Sequence, residues 1–302
     1  MSWLVTPLGA LLVLLVLRDV FHTLWHPTRH GGLSRLIMRA VWRLSAHRGA
    51  RWRPAGLAGP LGMILVVVAW AVTVAVGWAL VYWPRMPGDF SYADGLTPSD
   101  HAGPLDALYL SLVTLATLGL GDIAPTAGWL RVLAPVEALV GFVLLSATVA
   151  WILGIYPALA RRRTLALRLS HLRDSRATTG ALDSAGGAAV LDGLAAGLAT
   201  LTVDFLQYAE SYYFHDADED TALPRRLGYA LGLADRAAEA GHPDVRLSAS
   251  VLRRALDDLA AVLDERFLRT GGGTGQVFAA YARDHGHPWS DEGPPPGAGD
   301  GS

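Results

Sequence analysis

The chain has 302 residues, of which 52% are hydrophobic and only 17% are charged, and its formal net charge is -2. This length allows a membrane-embedded part plus one further domain. Because the net charge is slightly negative, we do not expect a nucleic-acid partner. The chain has no cysteine, so neither a disulfide framework nor thiol chemistry is available. No nucleophile–base pair, metal set or cofactor loop is apparent, so we predict neither an enzyme nor a resident cofactor.

Three apolar runs are long enough to cross a bilayer, which requires about 20 residues. Residues 3–25 contain Arg18 and Asp19 near their end, residues 57–83 carry no charge, and residues 132–160 contain only Glu137. A cleaved signal peptide would need a basic start and a small-residue cleavage site, so we interpret the first run as an uncleaved helix, with its two charges at the membrane edge. The sequence therefore predicts an all-α membrane protein with three transmembrane helices.

The arginines set the expected orientation. Residues 26–54 contain seven Arg and no acid, residues 84–106 contain one Arg and four Asp, and Arg161, Arg162 and Arg163 follow the third run. Basic segments stay on the cytoplasmic side. This predicts a cell-membrane protein with its N-terminus outside and its C-terminus in the cytoplasm.

Residues 27–56, between the first two runs, show an amphipathic pattern. Apolar residues recur at helical spacing with arginines between them: Leu33, Leu36, Ile37, Ala40, Val41 and Leu44 alternate with Arg35, Arg39 and Arg43. We predict a short interfacial helix on anionic lipid headgroups, and a solvated basic loop is the alternative.

Residues 105–116 are apolar but too short to span, which favours a re-entrant helix that enters the membrane from outside. Pro104 and Asp106 suit its start, because proline fixes φ and an acid stabilises the positive end of a helix. The stretch TLATLGLGDIAP follows, over residues 114–125. Non-helical backbone at membrane depth is tolerated only where it is buried in protein or lines a water-filled path. Alternating glycines allow successive carbonyls to point one way, as along a cation path.

Residues 109–122, YLSLVTLATLGLGD, resemble the pore helix and selectivity filter of potassium channels, whose filter reads T-V-G-Y-G-D. The resemblance covers residues 57–157, about a third of the chain, and implies a filter at Thr117, Leu118, Gly119, Leu120 and Gly121, with K⁺ held at the first four. It also implies that Tyr109 bonds to Asp122 behind the filter, and that Gly141 bends the inner helix.

Two departures from that family concern the filter itself. Leu118 stands where valine is usual, and Leu120 stands where tyrosine is usual. A single pore loop per chain implies a homotetramer, so four leucines would replace four tyrosine hydroxyls that brace the filter. A potassium channel is the predicted function. The alternatives are a weakly selective cation channel and a non-conducting, channel-like membrane sensor.

Two further predictions concern the inner helix. Glu137 either has a functional role as an intramembrane acid or bonds to backbone or threonine groups behind the filter. Leu145, Val149 and Leu153, spaced by four, are predicted to face the cavity as an apolar gate.

The rest of the chain is rich in Ala, Leu, Arg and Asp. We predict a cytoplasmic helical domain over residues 158–284, with helices near 188–213, 223–240 and 248–268, a glycine linker at 271–275 and a disordered tail at 285–302. The predicted organisation is thus an N-terminal helix (1–26), a basic segment (27–56), a pore domain (57–157), this helical domain and the tail.

Overall fold

The computed structural model describes residues 2–24, 32–47, 57–175, 182–216 and 218–289. The chain forms two compact units. Met1–Leu44 and Leu61–Leu153 make up the first, and Ser45–Pro60 and Gly154–Ser302 make up the second. Parts of the predicted basic segment (27–31 and 48–56) and of the predicted tail (290–302) lie outside the described residues.

The N-terminal half is mostly helical. Its helices are α1 (Ser2–Leu24), α2 (Gly32–His47), α3 (Ala58–Tyr82), α4 (Pro104–Leu115) and α5 (Gly128–Asp174). The short apolar helix α4 confirms the expected element between the second and third runs, and α5 extends well past the predicted end of the third run.

Four more α-helices follow α5 within the described residues of the second unit. They are α6 (Ala185–Gln207), α7 (Leu223–Ala238), α8 (Pro243–Leu263) and α9 (Thr274–Asp284). A short 3-10 helix (Ala209–Tyr213) follows α6, and a π-helical turn (Asp264–Leu268) follows α8. The sequence pattern missed α9, because the glycines at 271–275 were interpreted as a linker and the helix that begins within them is short.

The predicted count of three membrane helices needs correction. Within the described residues, four helices are long and apolar enough to cross a membrane: α1, α3, α5 and α6. The fourth, α6, had been assigned to a bundle outside the membrane. Its apolar character comes largely from alanine, glycine and leucine, residues that are equally suited to a tightly packed bundle core.

The prediction of an all-α fold was also incomplete, because a small sheet is present. β1 (Phe90–Tyr92) pairs antiparallel with β2 (Ile123–Pro125), with Ser91 opposite Ala124. Each strand has only three residues, too few for a period-two pattern to be visible in the sequence. The sheet ties the loop after α3 to the segment that follows residue 122.

Helices α1 and α3 pack through small residues. A Cβ added to Gly9 would overlap with the carbonyl oxygen of Gly77, and a Cβ added to Gly77 would lie 2.8 Å from a methyl carbon of Val13. Small residues let helix backbones approach closely, which is how membrane helices associate without a hydrophobic driving force. The opposite surface of α1 is apolar and exposed, as Leu8 (51%) and Leu14 (62%) illustrate.

Asp19 has a different role from the one predicted. It is buried rather than at the membrane edge, and its carboxylate accepts hydrogen bonds from the backbone amides of Leu33 (3.1 Å) and Ser34 (3.2 Å) and from the Trp70 indole (2.8 Å). Leu33 and Ser34 belong to the first turn of α2, where backbone amides lack helical partners. A carboxylate of α1 therefore caps α2 and bonds to α3.

Candidate functional site

The candidate site is the segment that follows α4, and its position depends on how the N-terminal end of α4 is fixed. Pro104 occupies the first helical turn, and the Asp106 carboxylate accepts a hydrogen bond from the backbone amide of Gly103 at 3.0 Å. The carboxylate thereby satisfies one of the unpaired amides at the helix start and lies near the positive end of the helix dipole. These contacts fix where α4 begins and so where its C-terminal end delivers the following backbone.

The backbone after α4 alternates in conformation. Thr117, Gly119 and Gly121 have positive φ angles of 58°, 55° and 79°, and the residues between them do not have positive φ. The turn into this segment is held by α4, because the amide of Thr117 donates to the Thr114 carbonyl (2.9 Å). The left-handed region costs a non-glycine residue about 1–2 kcal/mol, so Thr117 is the strained position of the three.

The same segment is exposed along its whole length in the single chain. Leu118 and Leu120 have 65% and 63% of their surface exposed. Two large apolar side chains exposed within three residues of a short loop are typical of a surface that another polypeptide covers.

Asp122 closes the segment and is held in place from two directions. Its carboxylate accepts a 2.7 Å hydrogen bond from the Tyr109 hydroxyl on α4, and its backbone carbonyl accepts one from the amide of Ala93 at 2.8 Å. The first contact has the geometry that the family resemblance implied. The second belongs to the end of the two-stranded sheet and had no counterpart in the sequence reasoning.

Glu137 is fully buried and links three helices. Its carboxylate accepts hydrogen bonds of 2.5 Å from the Tyr82 hydroxyl of α3 and from the Ser111 hydroxyl of α4. These partners differ from the backbone or threonine groups predicted for it. Sequence reasoning missed Tyr82 and Ser111, although a serine among the leucines of α4 was an available signal. Three helices, α3, α4 and α5, thus meet at one carboxylate.

Gly141 lies against the end of α4. A Cβ at this position would overlap with the carbonyl oxygen of Leu115, which lies two positions before Thr117. Glycine is therefore required here for a close approach between α5 and α4, whatever its part in bending α5. The sequence predicted a bend at Gly141 but not this close contact with α4.

The three residues predicted to form a gate follow Gly141 on α5. Leu145, Val149 and Leu153 are 64%, 49% and 69% exposed in the single chain. Leu145 also borders a cavity of about 330 Å³ between α3, α4 and α5, together with Trp70, Leu115 and Gly141. The geometry places these apolar side chains at the surface of α5 rather than in the core of one chain.

Comparisons with known proteins agree with this architecture. Residues 62–156 match the family described as ion channel, which is not an enzyme family, and the match identifies this part of the chain as an ion channel pore domain. The chain is also 26% identical over 153 residues to the uncharacterized membrane protein YdjJ of Bacillus subtilis (strain 168), a match that covers 49% of the chain and 44% of that protein. No solved structure matches the chain significantly.

Proposed function

Because residues 62–156 form an ion channel pore domain, we propose that the protein is the subunit of a potassium-selective channel. The observation that carries this proposal is the alternation of positive φ at Thr117, Gly119 and Gly121 in an exposed segment next to α4. Alternating the sign of φ turns successive peptide planes so that their carbonyls can point to one side. Rings of such carbonyls replace the hydration shell of a potassium ion.

In this mechanism the filter is Thr117, Leu118, Gly119, Leu120 and Gly121, and K⁺ binds at carbonyls of the first four and at the Thr117 hydroxyl. Tyr109 and Asp122 hold the outer end of the filter through their hydrogen bond. The C-terminal end of α4 carries a partial negative charge, so copies of α4 that converge on one axis stabilise a cation below the filter.

A homotetramer follows from the geometry of such a filter. Each chain supplies one filter segment, and a carbonyl ring needs four. The exposed side chains of Leu118 and Leu120 would then pack against the neighbouring copies. No tyrosine hydroxyl is present at position 120 to brace this packing, so we expect a lower preference for potassium over sodium than in a tyrosine filter.

We further propose that α1, α3 and α5 span the membrane and that α4 is re-entrant. The apolar side chains of α6, among them Leu191, Leu198 and Phe205, are buried in the second unit, where α6 packs against α8. Since the exposed surface of α8 carries the Arg254–Asp258 ion pair, this helix pair suits water better than lipid.

Orientation has its own test. The arginine distribution supports an outside N-terminus and a cytoplasmic C-terminus. A tag at residue 1 should be accessible from outside intact cells, and a tag at residue 302 should become accessible only after permeabilisation. Both tags on one side would contradict the proposed three spans.

Helix α2 supports the proposed contact with anionic headgroups. Ser34, Met38 and Trp42 are buried on one face, whereas Leu36 and Leu44 are 66% and 57% exposed on another. An apolar face that the rest of the chain does not cover, next to a row of arginines, is the pattern of a helix that lies in the membrane interface.

The same proposal assigns gating to α5. Gly141 would be the point at which α5 bends. Leu145, Val149 and Leu153 of four copies would form an apolar constriction. Hydrophobic constrictions close a pore by excluding water. Glu137 would hold the helices around the filter rather than bind the ion, because both of its carboxylate oxygens accept hydrogen bonds from side chains.

The deciding experiment is a flux assay on purified protein in liposomes, followed by the potassium-to-sodium permeability ratio under bi-ionic conditions. We expect potassium flux and a ratio above one but below that of a tyrosine-filter channel assayed in parallel. A ratio near one would establish the weakly selective alternative. Absence of flux of any cation would favour the non-conducting sensor.

A further inference from the structure

Three consecutive arginines near the end of α5 are all engaged by the second unit. Arg161, Arg162 and Arg163 form ion pairs with Asp204, at the end of α6, and with Asp216, which follows the 3-10 helix. All five residues belong to the second unit. In the sequence these arginines served only as an indicator of membrane orientation, a role that requires no specific partner.

Arg162 makes the most enclosed of these contacts. Its side chain is 3% exposed, and its guanidinium donates to the backbone carbonyls of Ser211 (2.7 Å) and Phe214 (2.9 Å) and to the Asp216 carboxylate (2.9 Å). A buried guanidinium is costly unless it is paired and hydrogen-bonded, and here Nη1 and Nη2 make all three contacts, whereas the buried Nε has no hydrogen-bond partner among the described residues. The position of this part of α5 against residues 211–216 is therefore narrowly defined.

The other two arginines bind from either side of Arg162. Arg161 donates to both carboxylate oxygens of Asp204, at 2.8 Å and 2.5 Å, in a bidentate arrangement that fixes orientation as well as distance. Arg163 donates at 2.8 Å to Asp216, whose side chain is 2% exposed and is shared with Arg162. Two acids on different segments thus hold three successive residues of one helix.

We propose that Arg161, Arg162 and Arg163 with Asp204 and Asp216 form a latch through which the helical bundle of the second unit controls the opening of the pore. The proposal rests on the proposed channel function, because the same helix α5 carries Leu145, Val149 and Leu153. A continuous helix transmits a displacement at one end to its other residues. The latch is therefore the attachment by which any rearrangement of the bundle reaches the gate.

The latch also predicts the direction of the effect. Apolar gate side chains that are free to move bury themselves against their copies in the other subunits, because this removes apolar surface from water. That arrangement is the closed one. An attachment that holds the four α5 helices in place opposes this collapse, so its loss should favour closure.

The test is a charge exchange between Arg161 and Asp204 in the full-length channel. We expect Arg161→Asp to lower the open probability at least fivefold with the permeability ratio unchanged, and the double variant Arg161→Asp with Asp204→Arg to restore it to within twofold. Arg168→Ala is the matched control, because Arg168 is exposed on the same helix and its guanidinium lies over Gly193 of α6 without an ion pair to any described residue, so its removal leaves the latch pairs intact. This control should behave as wild type.

Three results would overturn the latch: an open probability for Arg161→Asp equal to that of Arg168→Ala, an increase in open probability, or a double variant that assembles without recovery. Should Arg161→Asp fail to assemble, Asp204→Asn keeps the side-chain shape and should show a reduced effect in the same direction. A wild-type protein that conducts no ion contradicts the channel function instead, so the two failures are distinct.

A second measurement does not depend on conduction. The chain has no cysteine, so Tyr156→Cys introduces a single thiol at a position that is 53% exposed, shortly before the arginines. With the latch intact, the thiol should react readily with a maleimide, as its exposure predicts. Adding Arg161→Asp should lower that rate severalfold, because closure brings this part of α5 against its copies, and adding Arg168→Ala should not. Equal rates in all three proteins would overturn the latch even if the protein proved silent.

Discussion

In the first unit the buried carboxylates of Asp19 and Glu137 accept hydrogen bonds from neutral donors, whereas in the second unit the carboxylates of Asp204 and Asp216 are paired with arginines. Arginine is costly at membrane depth, so hydroxyl, indole and backbone N–H groups are the donors that suit a membrane-embedded carboxylate. In the second unit Arg161 keeps 45% of its side chain exposed, so its ion pair forms without full desolvation, and the buried Arg162 is compensated by Asp216 and two backbone carbonyls. The contrast shows that each unit joins its helices with the polar contacts that its surroundings allow.

The glycines of the two units offer a parallel contrast. Gly119 in the first unit and Gly271 in the second both have positive φ, 55° and 66°, and a Cβ would meet no atom within 4 Å at either position. Replacing either glycine with alanine should therefore cost a similar backbone strain. The two positions differ in the segment to which they belong. Any difference in outcome must come from the function of the segment.

The largest expected effect is that of Gly119→Ala. The added side chain disfavours the left-handed conformation by about 1–2 kcal/mol in each subunit, which is enough to turn carbonyls away from the ion path. We expect potassium flux to be abolished in liposomes while the assembly elutes unchanged from a size-exclusion column. Gly271→Ala, with the same strain, should conduct as wild type. A fully conducting Gly119→Ala protein would refute the proposed carbonyl path.

The second prediction compares the buried carboxylates directly. Glu137→Ala leaves the hydroxyls of Tyr82 and Ser111 without their acceptor, at a cost of about 1–3 kcal/mol for each buried group. Asp204→Ala leaves Arg161, which can turn to water, so its cost should be smaller. The thermal midpoint of assembly in detergent, followed by size-exclusion chromatography, should fall further for Glu137→Ala. The reverse order would contradict the distinction between the two units.

The third prediction concerns the cap on α2. Asp19→Ala removes the acceptor for two backbone amides and the Trp70 indole, and loss of a helix cap costs about 0.5–2 kcal/mol. Hydrogen exchange of the first turn of α2 should accelerate. Asp19→Asn retains an oxygen acceptor and should show a smaller change. Equal exchange rates in wild type and Asp19→Ala would mean that the cap does not stabilise this helix.

The smallest expected effect is that of Arg253→Ala in the second unit. Arg253 pairs with Asp235 at 2.5 Å, but both side chains are well exposed, at 44% and 60%. Exposed ion pairs contribute roughly 0–1 kcal/mol. We expect the thermal midpoint to change by less than it does for any of the preceding variants. A loss as large as that of Glu137→Ala would show that exposure is a poor guide to the value of these contacts.

Local patterns in the sequence were sufficient for most of the helices, although not for the short α9, and for the segment 117–121. The apolar runs gave α1, α3 and α5, the short run after Pro104 gave α4, and the alternating glycines at 119 and 121 coincide with positive φ. The sheet between β1 and β2 could not be predicted, because its two strands are distant in sequence and each is too short to show a period. The sequence pattern predicts three spans, whereas α6 is a fourth helix long and apolar enough to cross a membrane, because hydropathy alone does not distinguish an alanine-rich bundle helix from a span.

The polar contacts show the same limit. Glu137 and Asp19 stood out as acids in apolar runs, but their partners Tyr82, Ser111 and Trp70 are far from them in sequence. Arg161, Arg162 and Arg163 looked like an orientation signal, and only the folded second unit shows that each has an acid beside it. The distribution of charged residues along a sequence predicts on which side of the membrane a segment lies. It does not predict which group each charged side chain pairs with.

Hydrophobicity, glycine placement and the arginine distribution act through local chemistry, so the sequence by itself determined that this chain is a helical membrane protein with a channel-like loop. The tertiary structure decided which helices share a carboxylate, why Gly141 must be small, and where α5 is held by the second unit. These features depend on distances between segments that are remote in the chain, and such distances arise only when the helices of each unit pack together.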